Sequence, residues 1–283
     1  MSTELQTDPL AKDRGRLAKG LMISGALLYV GILLIAPVAA LVWSALGDGF
    51  DILGRTFALA DVQHAFLLTM IITVITVVVT GVFGVIVALV LARDHFPGKG
   101  FLSALVNLPL AVSAVIVGLM AVILFGRGGW FEAFFAARGI QILFALPSMV
   151  LVTIFICIPF VIREVTPVLQ ELGMEEEQAA WTLGASRIKT FFRVTLPNIR
   201  WGLLYGVALS SARALGEIGA VLIVSGAIQG YTETATLYIL TALEERQDAQ
   251  AFVVALTLAA VSVLILLAIE FFKRRQHQAK EAT

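Results

Sequence analysis

The chain has 283 residues, of which 59% are hydrophobic and 14% charged, with 20 basic and 20 acidic side chains. A soluble domain is roughly a quarter charged, and a net charge of zero gives no electrostatic basis for holding nucleic acid. The single cysteine, Cys157, lies in an apolar run, which excludes an intramolecular disulfide and the cysteine-based metal spacings.

The apolar residues come in blocks long enough to cross a bilayer, which takes about 20 residues of helix. Six spans are predicted, over 21–46, 65–92, 101–125, 142–162, 202–228 and 251–271. They should be helices, because backbone groups in lipid must be satisfied within the segment. The fold expected is therefore all-α and polytopic: a tail over 1–20, a membrane domain over 21–271 and a tail over 272–283.

The first run, from Leu21 to Leu46, exceeds the roughly 7–15 apolar residues of a signal peptide and reads as a retained helix. The second contains ITVITVVVT at 72–80, a strand-like run that its length and setting overrule. Pro109, Pro147 and Pro159 fall inside or near the ends of spans, where they make kinks or hinges.

Charge sorting sets the orientation. With the N-terminus inside, the inner segments hold Lys12, Arg14, Arg16, Lys19, Arg93, Lys99, Arg163, Arg187, Lys189, Arg193, Arg200, Lys273, Arg274, Arg275 and Lys280, which is 15 of the 20 basic residues. The outer segments hold Arg55, Arg127, Arg138 and Arg246, and Arg213 lies within a span. Both termini and the loop 163–201 are expected on the cytoplasmic side. Of the outer loops, GRGGWFEAFFAARGIQ at 126–141 is aromatic, suiting an interfacial helix or the lining of an outer mouth. Residues 229–250 carry Glu233, Glu244, Glu245 and Asp248, an expected open polar patch.

The inner loop contains a compact module, EEEQAAWTLGASRIKTFFRVTLP, at 175–197. Glu175, Glu176 and Glu177 complement the positive end of a helix. Gly184 suits a C-terminal cap, and Ser186 an N-cap for a second helix. Ile188, Phe191 and Phe192 are spaced to share one apolar face, beside Arg187, Lys189 and Arg193. Pro197 marks an expected stop or kink. An amphipathic element lying on the membrane is one reading of this module; a docking element for an aqueous partner is the other.

The fifth span carries Arg213 and Glu217 four residues apart, hence on one helix face, with Ser210 and Ser211 one turn earlier. A charge at membrane depth is expensive. The pair reads either as an internal neutralisation or as part of a pathway, where Arg213 could meet an anion.

Several chemistries are absent. PGKGF at 97–101 has neither the spacing nor the hydroxyl of a phosphate-binding loop. His64, His95 and His277 fall in loops, tails or at a span edge, leaving intramembrane catalysis without a base or metal-ligand set. An intramembrane enzyme and a purely structural subunit are the alternatives from other classes.

The module resembles the EAA loop of ABC-importer permease subunits, whose pattern is Glu-Ala-Ala, three residues, Gly, nine residues, Ile, one residue and Leu-Pro. Ala179, Ala180, Gly184, Leu196 and Pro197 fall in register, with Val194 in the Ile position and Gln178 in the Glu position. NLPLAVSAVIVG at 107–118, FGRGGW at 125–130, PFVIREVTPVLQ at 159–170 and TLPNIRWGLLYGVALSSARALGE at 195–217 resemble the sulfate/thiosulfate branch, and its W-type more than its T-type permeases. Ala114 departs from a common Pro of that branch. Molybdate and tungstate permeases are similar over much of this pattern.

The resemblance implies an inner-membrane permease that forms half of a translocation pathway with a second homologous permease. Residues 178–180, 184, 194, 196 and 197 would dock on a cytoplasmic ATPase, present in two copies. A periplasmic sulfate-binding protein would deliver the substrate. This chain would bind no cofactor or metal and hydrolyse nothing, with ATP used by the partner.

Overall fold

The computed structural model describes residues 9–47 and 49–281, and every regular element among them is helical. Helix α1 covers Pro9–Leu46, α2 Asp51–Phe57 and α3 Ala60–Arg93. Then come α4 over Lys99–Ala111, α5 over Ala114–Phe125 and α6 over Glu132–Ala136. Helix α7 covers Leu146–Leu172, α8 Glu175–Thr182 and α9 Arg187–Thr190. A widened π turn at Phe191–Thr195 leads into α10 over Leu196–Leu215, followed by α11 over Gly219–Ser225. Helix α12 covers Ala235–Glu244, and α13 closes the chain over Asp248–Glu281. Residues 1–8 and 282–283 of the expected tails lie outside the described residues; 9–20 and 272–281 continue α1 and α13.

Four helices are long and apolar enough to cross a membrane: Met22–Leu46 within α1, α3, α7 and Asp248–Phe271 within α13. The strand-like run at 72–80 is helix. Helix α7 passes Pro159 within its expected span and runs ten residues beyond it, through Pro167.

Two expected spans are broken rather than continuous. The chain bends by 111° between α4 and α5. They hold 13 and 12 residues, about 18–20 Å each, short of a hydrocarbon core of ~30 Å. Val112 and Ser113 are extended between them, just after Pro109, which withholds a helix donor. The fifth span bends by 55° where α10 gives way to α11, across Gly216, Glu217 and Ile218. The halves beyond both breaks pack together. A Cβ on Gly118 would stand 2.9 Å from the Ala220 carbonyl oxygen, and one on Gly219 3.0 Å from Ala114 Cβ.

Helices α3, α7 and α10 form the centre. Small residues set their approach: a Cβ on Gly84 would lie 2.7 Å from Val161 Cγ1, and one on Gly206 2.8 Å from Val161 Cα. Around them, Val85, Ala88, Val161, Val165, Leu169 and Ile199 are buried as one cluster. Ser210 Oγ donates to the Cys157 carbonyl at 3.2 Å, and Cys157 Sγ donates back to the Ser210 carbonyl at 3.6 Å, clasping α10 to α7.

Candidate coupling module and helix-break ion pair

The module at 175–197 is built by backbone rules that its sequence states openly. Helix α8 ends in a Schellman motif: Gly184 sits at φ +82°, its N–H donates to the Trp181 carbonyl at 2.9 Å, and the Ala185 N–H donates to the Ala180 carbonyl at 3.0 Å. Ser186 caps α9, its hydroxyl accepting from the Lys189 N–H at 3.4 Å. Gln178, Ala179, Gly184 and Pro197 are exposed, while Ala180, Val194 and Leu196 are half-buried.

Of the stop or kink expected at Pro197, the stop does not occur. Arg187–Leu215 runs as one helix, because the turn before Pro197 is widened. The Leu196 N–H reaches back five residues to the Phe191 carbonyl, a register that accommodates the donor Pro197 lacks. The residues of the expected apolar face are unequally covered: Phe191 is half-buried against the cluster around Val161, Phe192 meets Phe191 edge-on with ring centroids 5.1 Å apart yet is 61% exposed, and Ile188 is 73% exposed. Leu183 at 89% and Trp181 at 38% are likewise uncovered apolar side chains of the module. Arg187, Lys189 and Arg193 are exposed as well.

Glu177, whose place in the sequence suits a first helical turn at the positive end of the dipole, is buried. Its Oε1 lies 3.2 Å from Arg93 Nη2 at the end of α3 and accepts from Thr195 Oγ1 at 2.7 Å. Glu176 reaches Asn198 on α10. Arg93 is 84 positions away from Glu177, so no local spacing signals the pairing.

The expected ion pair is present, though not on one helix face. Arg213 lies in the last turn of α10, and Glu217 lies beyond its end at the break. Glu217 Oε2 stands 2.7 Å from Arg213 Nη1, with the carboxylate side chain 2% and the guanidinium side chain 35% exposed. Glu217 Oε1 accepts from the Ala220 N–H at 2.9 Å and so caps the first turn of α11. Its carbonyl accepts from Thr236 Oγ1 at 2.8 Å. Glu217 thus ties the two sides of the break and α12 together. The serines make internal bonds: Ser210 joins the clasp with Cys157, and Ser211 Oγ donates to the Val207 carbonyl at 2.8 Å.

The 229–250 segment also differs from expectation. Glu244, Glu245 and Asp248 are exposed, but Glu233 is buried and accepts from Thr241 Oγ1 at 2.7 Å. Helix α12, apolar and largely buried, occupies the middle of this segment. Its run TLYILTAL, set among acidic residues, is the sequence signal for this helix. No group of His, Cys, Asp and Glu suited to a metal occurs among the described residues.

Residues 80–279 match the model of the binding-protein-dependent transport system inner membrane component family. The chain belongs to this family. It is 44% identical to the sulfate transport system permease protein CysW of Synechocystis sp., over 91% of this chain and 93% of the relative. It is 38% identical to CysW of Escherichia coli, over 93% and 91%. The CysT permease of Salmonella typhimurium is 36% identical, over 90% and 92%. The W-type resemblance read from the sequence therefore holds among these relatives. The fold is that of an ABC-importer permease: a bacterial transporter importing the polysaccharide alginate superposes with a TM-score of 0.76 at 19% identity, over 95% of this chain and 99% of that one. As an ABC-transporter permease with several apolar helices, the chain is a multi-pass membrane protein.

Proposed function

We propose that this chain is the W-type permease subunit of an ATP-driven sulfate importer in the bacterial inner membrane. It forms half of the translocation pathway beside a second, T-type-like permease. Two cytoplasmic ATPase subunits drive it, and a periplasmic sulfate-binding protein supplies it. The chain binds no nucleotide and catalyses nothing itself. Both termini and the module face the cytoplasm.

The observation that carries this reading is the module's exposed surface. Leu183, Ile188 and Phe192 stand uncovered on a frame fixed by a Schellman cap, a serine N-cap and a buried carboxylate. An amphipathic helix lying on lipid would not need that frame, whereas a surface that must fit a partner's groove does. The sulfate assignment is supported by the named relatives.

The test places Asp at Leu183 and at Ile188 and measures co-purification with the ATPase. Loss of the ATPase with normal membrane insertion is expected; retention by both variants would exclude docking here. Cys157 is buried, so a cysteine placed at exposed Glu245 should react with an impermeant thiol reagent on intact cells, and one at Lys189 only after permeabilisation. The reverse pattern would overturn the orientation.

A further inference from the structure

We propose that Arg93 and Glu177 are positioning residues that lock the module to α3, so that displacement of the module by the ATPase moves α3 as well. This rests on the docking reading above. By chain connection, the module joins only α7, through Gly173, and α10, through the widened turn. Helix α8 packs mainly on α9 and that same turn, and Glu176 reaches Asn198 on α10. The module meets α3 in two ways: Phe191 and Leu196 pack on the apolar cluster around Val85 and Ala88, and Glu177 makes the polar tie, its Oε1 shared between Arg93 Nη2 and Thr195 Oγ1.

The tie is shielded. The Arg93 and Glu177 side chains are 13% and 10% exposed, and water screens such a pair less than a surface one. Beside it lies a cavity of ≈ 10 Å³, lined among others by Arg93, Gly173, Glu177 and Thr195. That is about the space of one water, and Arg93 Nε is buried without a protein partner. A push on α8 must break a shielded charge contact or carry α3 with it.

Helix α3 is suited to carry the displacement. It runs unbroken for 34 residues. It is wedged on α7 at Gly84 and Val161, and at its far half Thr69 Oγ1 accepts from the Ala235 N–H at 2.9 Å. The brace therefore links the module to α12, at the other end of the molecule, through one stiff element. The placement also assigns different tasks to two adjacent residues: Glu177 faces inward to hold the module, and Gln178 faces outward, where the partner would sit.

The experiment uses the full complex in proteoliposomes, with Arg93→Gln, Glu177→Gln, Thr195→Val and the exchange Arg93→Glu with Glu177→Arg. It reads subunit abundance, ATPase co-purification and ATP hydrolysed per sulfate imported. The two charge variants should keep the ATPase yet raise that ratio roughly fivefold, the low end of coupling between sites. Thr195→Val should raise it less, and the exchange should bring it back toward the parent. An unchanged ratio in both charge variants, or an exchange no better than they are, would overturn the brace while leaving docking intact. Failure of all four variants to assemble would make the contact a folding element and overturn the proposal. Absence of the ATPase from the parent complex would overturn the docking reading and this one with it.

Discussion

Removing one member of the Arg213–Glu217 pair should have unequal consequences, because the two side chains are unequally buried. Arg213→Met leaves a carboxylate that is 2% exposed without its counter-charge, a loss of about 3–5 kcal/mol for a buried pair. Glu217→Gln leaves a guanidinium that is 35% exposed and so less enclosed by the chain than the carboxylate. It also keeps an oxygen to accept from the Ala220 N–H, so the loss should be the smaller of the two. Glu217→Ala loses the cap of α11 as well, a hydrogen bond to a charged acceptor worth about 1.5–3 kcal/mol, and should fall between the two. The double variant Arg213→Met with Glu217→Gln should recover to near the Gln single. The assay is thermal melting of the solubilised subunit, with sulfate uptake measured alongside. Restored stability with restored uptake confines the pair to folding; restored stability without uptake places Arg213 in the pathway. Melting of Arg213→Met with the parent, or equal damage from Glu217→Gln and Arg213→Met, would refute the reasoning.

Three further outcomes follow from single positions. Gly184→Val meets no neighbour within 4 Å but must adopt φ +82°, a strain of about 1–3 kcal/mol; the subunit should insert normally yet lose the ATPase, and unchanged co-purification and uptake would count against the turn. Gly206→Leu would drive its Cβ to 2.8 Å from the Val161 backbone, overpacking that costs at least ~1–3 kcal/mol. Membrane abundance should drop, whereas Gly25→Ala, with nothing within 4 Å, should be neutral; equal abundance of both would contradict the close packing. Burial pushes the Glu233 carboxyl above its ordinary range, opposed by the Thr241 hydrogen bond, with Asp61 and Glu245 adding to the rise and His64 opposing it. A carboxyl raised in the folded state contributes stability that is present at low pH and lost as pH rises through its folded value. Glu233→Gln should therefore melt above the parent at neutral pH, and the gap should close on acidification through the raised folded value; a gap that widens instead would reverse the sign assigned here.

The spans and the module were legible because each rests on a local rule. Length and hydropathy mark α1, α3, α7 and α13 whatever their neighbours are. The turn at Gly184 and the cap at Ser186 depend only on nearby backbone. The helix breaks were not legible, since Pro109, Gly216 and Gly219 are residue types that unbroken membrane helices also contain. Whether they break depends on α5 and α11 finding one another through Gly118 and Gly219. Pro197 carried a local stop signal that the widened turn overrode. Glu177 and Glu233 share a different difficulty. A carboxylate reads as solvated unless its partner is known, and those partners, Arg93 and Thr241, were fixed only by the fold. Arg213 and Glu217 were found because four residues separate them, although the helix ends before Glu217 and the contact is made across the break.

The central claim is that this chain carries sulfate under power supplied through its 175–197 module. The most direct test reconstitutes the chain with its partner permease, the ATPase and the sulfate-binding protein in proteoliposomes and follows labelled sulfate with ATP on the cytoplasmic face. The account predicts ATP-dependent sulfate uptake that Gly184→Val abolishes and that excess molybdate leaves largely intact. ATP-dependent uptake that the module variant leaves unchanged, or transport of molybdate in preference to sulfate, would contradict it.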